Sequence, residues 1–230
     1  MLIRKPVAIA LLSLSMGSMA AVCPNTDFDE HYAPSVRVPD PQTYCYAQYT
    51  LTYDLGLKSA IWVGEHLGKG EQYIHERKNT FAPNMEIPEP SRTTMKDYKE
   101  PIYDQGHMAS AGDMVDQESQ RESFLMSNMV PQTAHLNRGI WKHLEDHLRK
   151  LSATDDLMVI TGPIYDKANL DFIGNRVPIP MYTFKWVYDL TNKTEYGYAM
   201  QNVLEFPSKN VEDYRVTKEW VEKNAGILLK

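Results

Sequence analysis

The sequence predicts an α+β fold with a central antiparallel sheet flanked by helices. Stretches of alternating apolar and polar residues come in pairs joined by short turns, as hairpins require. One long stretch, 136–151, instead carries Ile140, Leu144, Leu148 and Leu151 at helical spacing. No internal repeat or low-complexity linker divides the 230 residues, so one domain is expected, against a soft prior of about 150 residues per domain.

In chain order, residues 1–20 read as a secretory signal peptide. Arg4 and Lys5 start it, an apolar run interrupted only by serines spans Val7 to Met16, and Ser18-Met19-Ala20 supplies small residues before a cut after Ala20. A buried N-terminal helix is the alternative, disfavoured because the segment is not amphipathic. The remaining chain, 21–230, is read as the single domain. Residues 21–43 are rich in proline and polar groups and predict an irregular arm. Alternation from Cys45 to Tyr53 predicts a half-buried strand; Asp54-Leu55-Gly56 turns the chain into a second strand over Ser59 to Leu67. The proline-rich span 79–102 predicts loop with at most one short helix. Phe124 to Val130 is a short apolar run, 136–151 a continuous helix, and Leu157 to Thr161 a buried strand. Tyr182, Phe184, Trp186 and Tyr188 alternate along a strand that pairs with Tyr196 to Leu204 across a turn at Asn192. That aromatic stripe is expected in the core. Thr217 is placed to N-cap a last helix ending near Gly226.

Composition narrows the partners. Hydrophobic residues make up 43% and charged residues 23% of the chain, and beyond the signal no apolar run approaches the roughly 20 residues that span a bilayer. The formal charge is −6, and losing the signal with its two basic residues would make it more acidic still. A protein that coats nucleic acid is usually basic. Any contact with a polyanion must therefore run through a local basic groove, and an acidic remainder favours release over storage. The cysteines are Cys23 and Cys45. Export predicts that they pair, tying the arm to the first strand; two buried free thiols are the alternative.

Three segments carry polar chemistry: YDQGHM at 103–108, SNMVPQ at 127–132 and LNRGIWKHLEDHLRK at 136–150. Splitting a phosphodiester needs a base that deprotonates water near neutral pH, which histidine supplies. It also needs positive charge beside the phosphoryl and leaving oxygens, from arginine or a hard divalent cation. Magnesium prefers oxygen ligands and keeps several waters, so an asparagine carbonyl can hold it. On a straight helix Glu145 lies roughly 12 Å beyond Asn137 and leans back toward it. Arg149, one turn further on, is placed to orient Glu145.

Read in order, Asp104-Gln105-Gly106-His107, then Ser127-Asn128-Met129-Val130-Pro131-Gln132, then Asn137-Arg138-Gly139-Ile140-Trp141-Lys142-His143-Leu144-Glu145 resemble the DNA/RNA non-specific endonucleases. These are the ββα-metal nucleases that include endonuclease G and secreted bacterial sugar-non-specific enzymes. The likeness extends upstream through Trp62-Val63-Gly64-Glu65-His66-Leu67, the stretch from Arg77 to Asp97-Tyr98, and the early cysteines. It covers most of the mature chain. Each motif alone is weak; the ordered set is specific.

The resemblance implies a ββα-metal fold and a magnesium-dependent endonuclease, with manganese as a substitute, acting on DNA and RNA and leaving 5′-phosphate ends. It implies His107 as general base, Asn137 as the direct metal ligand, Glu145 holding water on that ion and Asn128 positioning the site. Arg149 would support Glu145 or the phosphate, and Gln105, Arg77 and Arg138 would contact substrate. The expected protein is secreted or periplasmic, free of membrane, and a monomer or homodimer. Gln105 departs from the family pattern, which has arginine there. Glutamine brings no charge, and charge-assisted hydrogen bonds are roughly twice as strong as neutral ones. Two other readings follow: a weakened or inactive nucleic-acid-binding member of the fold, or a phosphodiesterase with another substrate. Asp104 is expected to fix its own turn through backbone bonds, Gly106 to supply backbone freedom, Trp141 to lie in the core, and His135, His143 and His147 to be solvated or packing residues.

Overall fold

The computed structural model describes residues 23, 26, 28–74 and 76–230; the expected signal peptide and its cleavage site lie outside them. The arm forms a short bridge, Ser35–Val36, paired with Ile227–Leu228 near the C-terminus. Strands β1 (Gln42–Cys45), β2 (Tyr49–Asp54) and β3 (Ser59–Leu67) follow, then β4 (Tyr103–His107), helix α1 (Gln117–Ser123), β5 (Met129–Thr133) and helix α2 (Lys142–Leu151). The chain continues through β6 (Leu157–Ile164), β7 (Tyr182–Asp189), β8 (Thr194–Gln201), β9 (Arg215–Val216) and helix α3 (Lys218–Ala225). The span 79–102 holds two 3-10 turns, Glu89–Ser91 and Met95–Asp97, and an isolated bridge from Ala82 to Leu125.

Seven strands form one sheet in the order β9-β8-β7-β6-β3-β2-β1, with every neighbouring pair antiparallel. The expected central antiparallel sheet is therefore present. Strands β4 and β5 make a separate antiparallel pair.

Both faces of the large sheet are covered. One carries Trp62, Ile160, Phe184 and Trp186 against Phe28, Val36, Val221 of α3 and Ile227. The other carries Leu51, Val63, Val159 and Val187 against Val130 of β5 and Trp141, Leu144 and Leu148 of the helical layer. This double cover corrects the half-buried expectation for 45–53. That stretch breaks at Tyr46, whose backbone N–H donates to the Tyr49 carbonyl, and Tyr49 to Tyr53 are buried on both sides. The continuous helix over 136–151 is also corrected. Gly139 has φ −105° and ψ −114°, so a wide turn over Leu136–Trp141 is kinked off the regular helix that begins at Lys142. The hairpin β7–β8 and the buried stripe Phe184, Trp186 and Tyr188 stand as expected. The final helix is capped by Thr217, whose hydroxyl accepts from the Trp220 N–H, and it ends at Gly226 with φ +70°, a left-handed conformation that glycine takes at no steric cost.

Cys23 and Cys45 are joined, with Cα atoms 5.4 Å apart. The bridge closes a loop over a sequence separation of 22, which in chain-entropy terms is worth about 3 kcal/mol.

Candidate active site

The site is a cleft of about 490 Å³ between the β4–β5 pair and α2, lined in part by Arg77, Gln105, His107, Asn137, Glu145 and Arg149. Strand β4 ends at His107, opposite Met129 of β5. Two features hold the strands close enough to aim the imidazole. At Gly106 a Cβ would lie 2.2 Å from Gln132 Oε1, and Gln132 is fully buried. Glycine is required there by space, not by backbone freedom as the sequence suggested. Beyond His107, the Asn128 side chain accepts from the Ala109 N–H at 2.9 Å and donates to the Ala109 carbonyl at 2.9 Å and the Ser123 carbonyl at 2.8 Å. These bonds fully engage its amide inside the protein. Asn128 is therefore fully buried and stands behind the cleft without lining it.

The His107 ring is buried edge-on against Phe124, with centroids 4.8 Å apart, and lies 5.9 Å from Phe81. Its Nε2 is buried with no hydrogen-bond partner. Burial, then the nearby Arg77 guanidinium, hold the imidazole down to about 3, opposed by a hydrogen bond with the Gln105 backbone. The imidazole is therefore neutral with an unused nitrogen, although a value of about 3 makes it a weaker base than the near-neutral one that suits proton abstraction.

Across the cleft, Asn137 donates its amide to Asp104 Oδ2 at 3.0 Å. That assignment leaves the amide oxygen as the free end. Asp104 also takes a two-pronged bond from Arg138, at 2.7 and 2.6 Å, and with these partners its carboxyl sits below the usual range even though burial acts the other way. The expected turn-fixing role of Asp104 is thus corrected: its recorded bonds go to the wide turn, and they fix Asn137. Because the turn is kinked at Gly139, the straight-helix distance from Asn137 to Glu145 does not apply.

Glu145 faces the cleft, partly exposed, and burial pushes its carboxyl up to about 7; Lys185 pulls it down and Asp113 pushes it up. Arg149 does not hydrogen-bond Glu145. It donates to Asp113 at 2.7 Å, Asp146 at 2.8 Å and Ser110 at 3.3 Å. Asp113 is buried, and a buried carboxylate without a partner is costly, so it takes the guanidinium. Arg149 reaches Glu145 through its field alone. Arg77 donates to Asn79 at 2.8 Å and stacks 5.1 Å over Phe124. Arg138 is exposed at the rim. Gln105 lines the cleft.

The structure thus gathers Arg77, Gln105, His107, Asn137, Arg138, Glu145 and Arg149 into one cleft and leaves Asn128 behind it. Sequence reasoning missed Asp113, Asp146 and Ser110 as the partners of Arg149, and Phe81 beside the histidine. Asp146, at i−3 from Arg149 on one helix, was the one legible signal among them. Among the described residues no cluster of three or more His, Cys, Asp or Glu side chains can hold a metal. The donors at the cleft, an amide oxygen and a carboxylate, suit a hard cation that keeps most of its water.

The sequence profile of a family described as DNA/RNA non-specific endonuclease matches residues 29–230. A nuclease of Syncephalastrum racemosum is 32% identical over 206 residues, covering 78% of this chain and 64% of that protein. A mitochondrial endonuclease G of Caenorhabditis elegans is 30% identical over 202 residues, covering 79% of this chain and 66% of that protein. The chain therefore spans less than two thirds of the length of these curated relatives. A solved structure of an EndoG/EndoGI complex, which concerns the mechanism of EndoG inhibition, shares 29% identity at a TM-score of 0.74, covering 81% of this chain and 84% of that one.

Proposed function

The chain belongs to the DNA/RNA non-specific endonuclease family and has the ββα-metal fold; from that premise we propose that it hydrolyses phosphodiester bonds in DNA and RNA, with His107 as the base. The observation that carries this reading is the buried, unpartnered His107 Nε2 on a cleft whose other wall holds Asn137 and Glu145. Such an atom is costly to keep, and a role in accepting a proton from water explains it.

Asn137, through its amide oxygen, and Glu145 are the residues that would hold magnesium, or manganese in its place. When bound, the cation supplies Lewis-acid stabilisation of charge on the phosphoryl oxygens. His107 takes the proton of the attacking water. Arg77 stands beside the imidazole, where its charge adds to burial in keeping the ring neutral and where it meets a phosphate. Asp104 orients Asn137, and Asn128 holds the backbone after His107. Products with 5′-phosphate ends follow from attack on phosphorus with a 3′ oxygen leaving. Phosphate contacts dominate, so sequence preference is slight and salt inhibits. Export is proposed on the Cys23–Cys45 bridge and the leader-like residues 1–20, although some relatives are mitochondrial.

Gln105 favours a second reading, a weakened member that binds nucleic acid without cutting it. Digestion of plasmid DNA and total RNA by the oxidised protein, with magnesium or EDTA, separates the two. Cutting that EDTA abolishes supports the nuclease. Tight binding without cutting, across several metals, supports the alternative.

A further inference from the structure

A charge pair lies buried under the cleft. Neighbouring strands β7, β6 and β3 present Lys185, Thr161 and Glu65 on the face of the sheet that meets the site layer, with Lys185 directly opposite Thr161. The side chains of Lys185 and Glu65 are 1% and 2% exposed. An ammonium has three protons to place, and Lys185 places them on Thr161 Oγ1 at 2.8 Å, Glu65 Oε1 at 3.1 Å and the Met108 carbonyl at 3.3 Å. Its Nζ also stands 5.5 Å from the centre of the Trp141 ring.

Stability does not account for this arrangement. Replacing a buried ion pair with apolar groups of similar volume is often neutral or stabilising, and Glu65 Oε2 is left buried without a partner. The destinations of the contacts are more informative. Met108 follows His107 directly, and its own N–H donates to the Asn128 carbonyl. Trp141 lies in sequence between Asn137 and Glu145. One buried cation therefore touches the backbone carrying the base and the helical segment carrying the other wall of the cleft.

We propose that Lys185 is a positioning residue for the reaction: held by Glu65 and Thr161, it sets the His107 imidazole against the Asn137–Glu145 wall. This rests on the nuclease reading above. A misplacement on the order of 1 Å can cost about a hundredfold in rate, so the contact to the Met108 carbonyl is where its effect is transmitted.

The test compares the full-length oxidised parent with Glu65→Gln/Lys185→Met, which removes both charges at similar volume, in plasmid cleavage with magnesium. Expected is a kcat lower by about tenfold to a hundredfold. At saturating magnesium KM for DNA should stay near the parent's; the half-saturating magnesium should rise near pH 7, because Lys185 no longer pulls the Glu145 carboxyl down, and the melting temperature should be equal or higher. Adding the same pair of changes to His107→Ala should leave its residual rate unchanged, because the base being positioned is gone. A folded double variant with the parent's kcat overturns the assignment, as does a further loss of the same size on top of His107→Ala. Should the double variant fail to fold, Thr161→Val decides: it loosens the ammonium while keeping its charge, and a kcat equal to the parent's overturns the proposal, whereas a several-fold loss with KM unchanged supports it. A parent that cuts no nucleic acid sinks the nuclease reading and this proposal together; a parent that cuts while the variants match it sinks this one alone.

Discussion

Replacing His107 with alanine tests base and burial together. General-base catalysis contributes about 10²–10⁴-fold, and kcat should fall by that factor. The fold should survive at a cost visible in the packing. The variant loses an edge-on contact with Phe124 at 4.8 Å and a looser one with Phe81 at 5.9 Å, each worth about 0.5–1.5 kcal/mol. It also removes a buried nitrogen without a partner, whose penalty is about 1–3 kcal/mol. The lost burial, the cavity left by the ring and the lost bond with the Gln105 backbone outweigh that relief, by about 2–4 kcal/mol, so melting should fall by several degrees, at roughly 2–4 °C per kcal/mol for a chain of this size, and the variant should still fold. Acid adds an independent check. The folded imidazole is held down to about 3, below the unfolded value of about 6.5. Between those values the unfolded chain binds a proton that the folded one refuses, so stability is lost as pH falls from about 6.5 toward 3. At about 1.4 kcal/mol per pH unit, this histidine accounts for roughly 3 kcal/mol of the loss between pH 6.5 and 4. Urea titrations at those two pH values should therefore show a smaller acid loss in His107→Ala than in the parent. A folded variant that cuts at the parent's rate refutes the mechanism. An acid loss as large as the parent's refutes the account of why the base is neutral.

Glu145→Ala should raise the magnesium needed for half-maximal rate about tenfold, the scale on which groups supporting a metal site act; an unchanged titration counts against its role. In the parent that requirement should ease as pH rises through 7, because burial pushes the Glu145 carboxyl up to about 7 and only the carboxylate form attracts the ion. Gln105→Arg should lower KM for DNA several-fold at low salt and steepen the salt dependence by about one unit; identical salt slopes would show that position 105 does not meet phosphate. Cys23→Ser with Cys45→Ser should cost about 3 kcal/mol of stability, read as a lower denaturation midpoint, while the rate per folded molecule stays the same; a large fall in that rate would place the bridge in the working site.

Legibility in the sequence followed how local each feature is. The hairpins β2–β3 and β7–β8 and the cap at Thr217 are set by neighbours in sequence, and alternation and turn residues reveal them. The order of the three motifs indicated which side chains share a cleft. It did not reveal what each side chain does there, because burial is set by elements far apart in the chain. Asn128 and Asn137 look alike as motif asparagines, yet one has its amide fully engaged against Ala109 and Ser123 and the other keeps an oxygen free beside Asp104. Lys185 was the hardest to see. It alternates with Phe184 and Trp186, and a lysine opposite an aromatic stripe reads as the wet side of a two-faced strand. That inference assumes one covered face, and here the site layer covers the second. The clue lay in its neighbours on the same side, Thr183 and Val187, which carry no charge. A lysine flanked on its own side by a threonine and a valine signals a buried cation with a fixed partner.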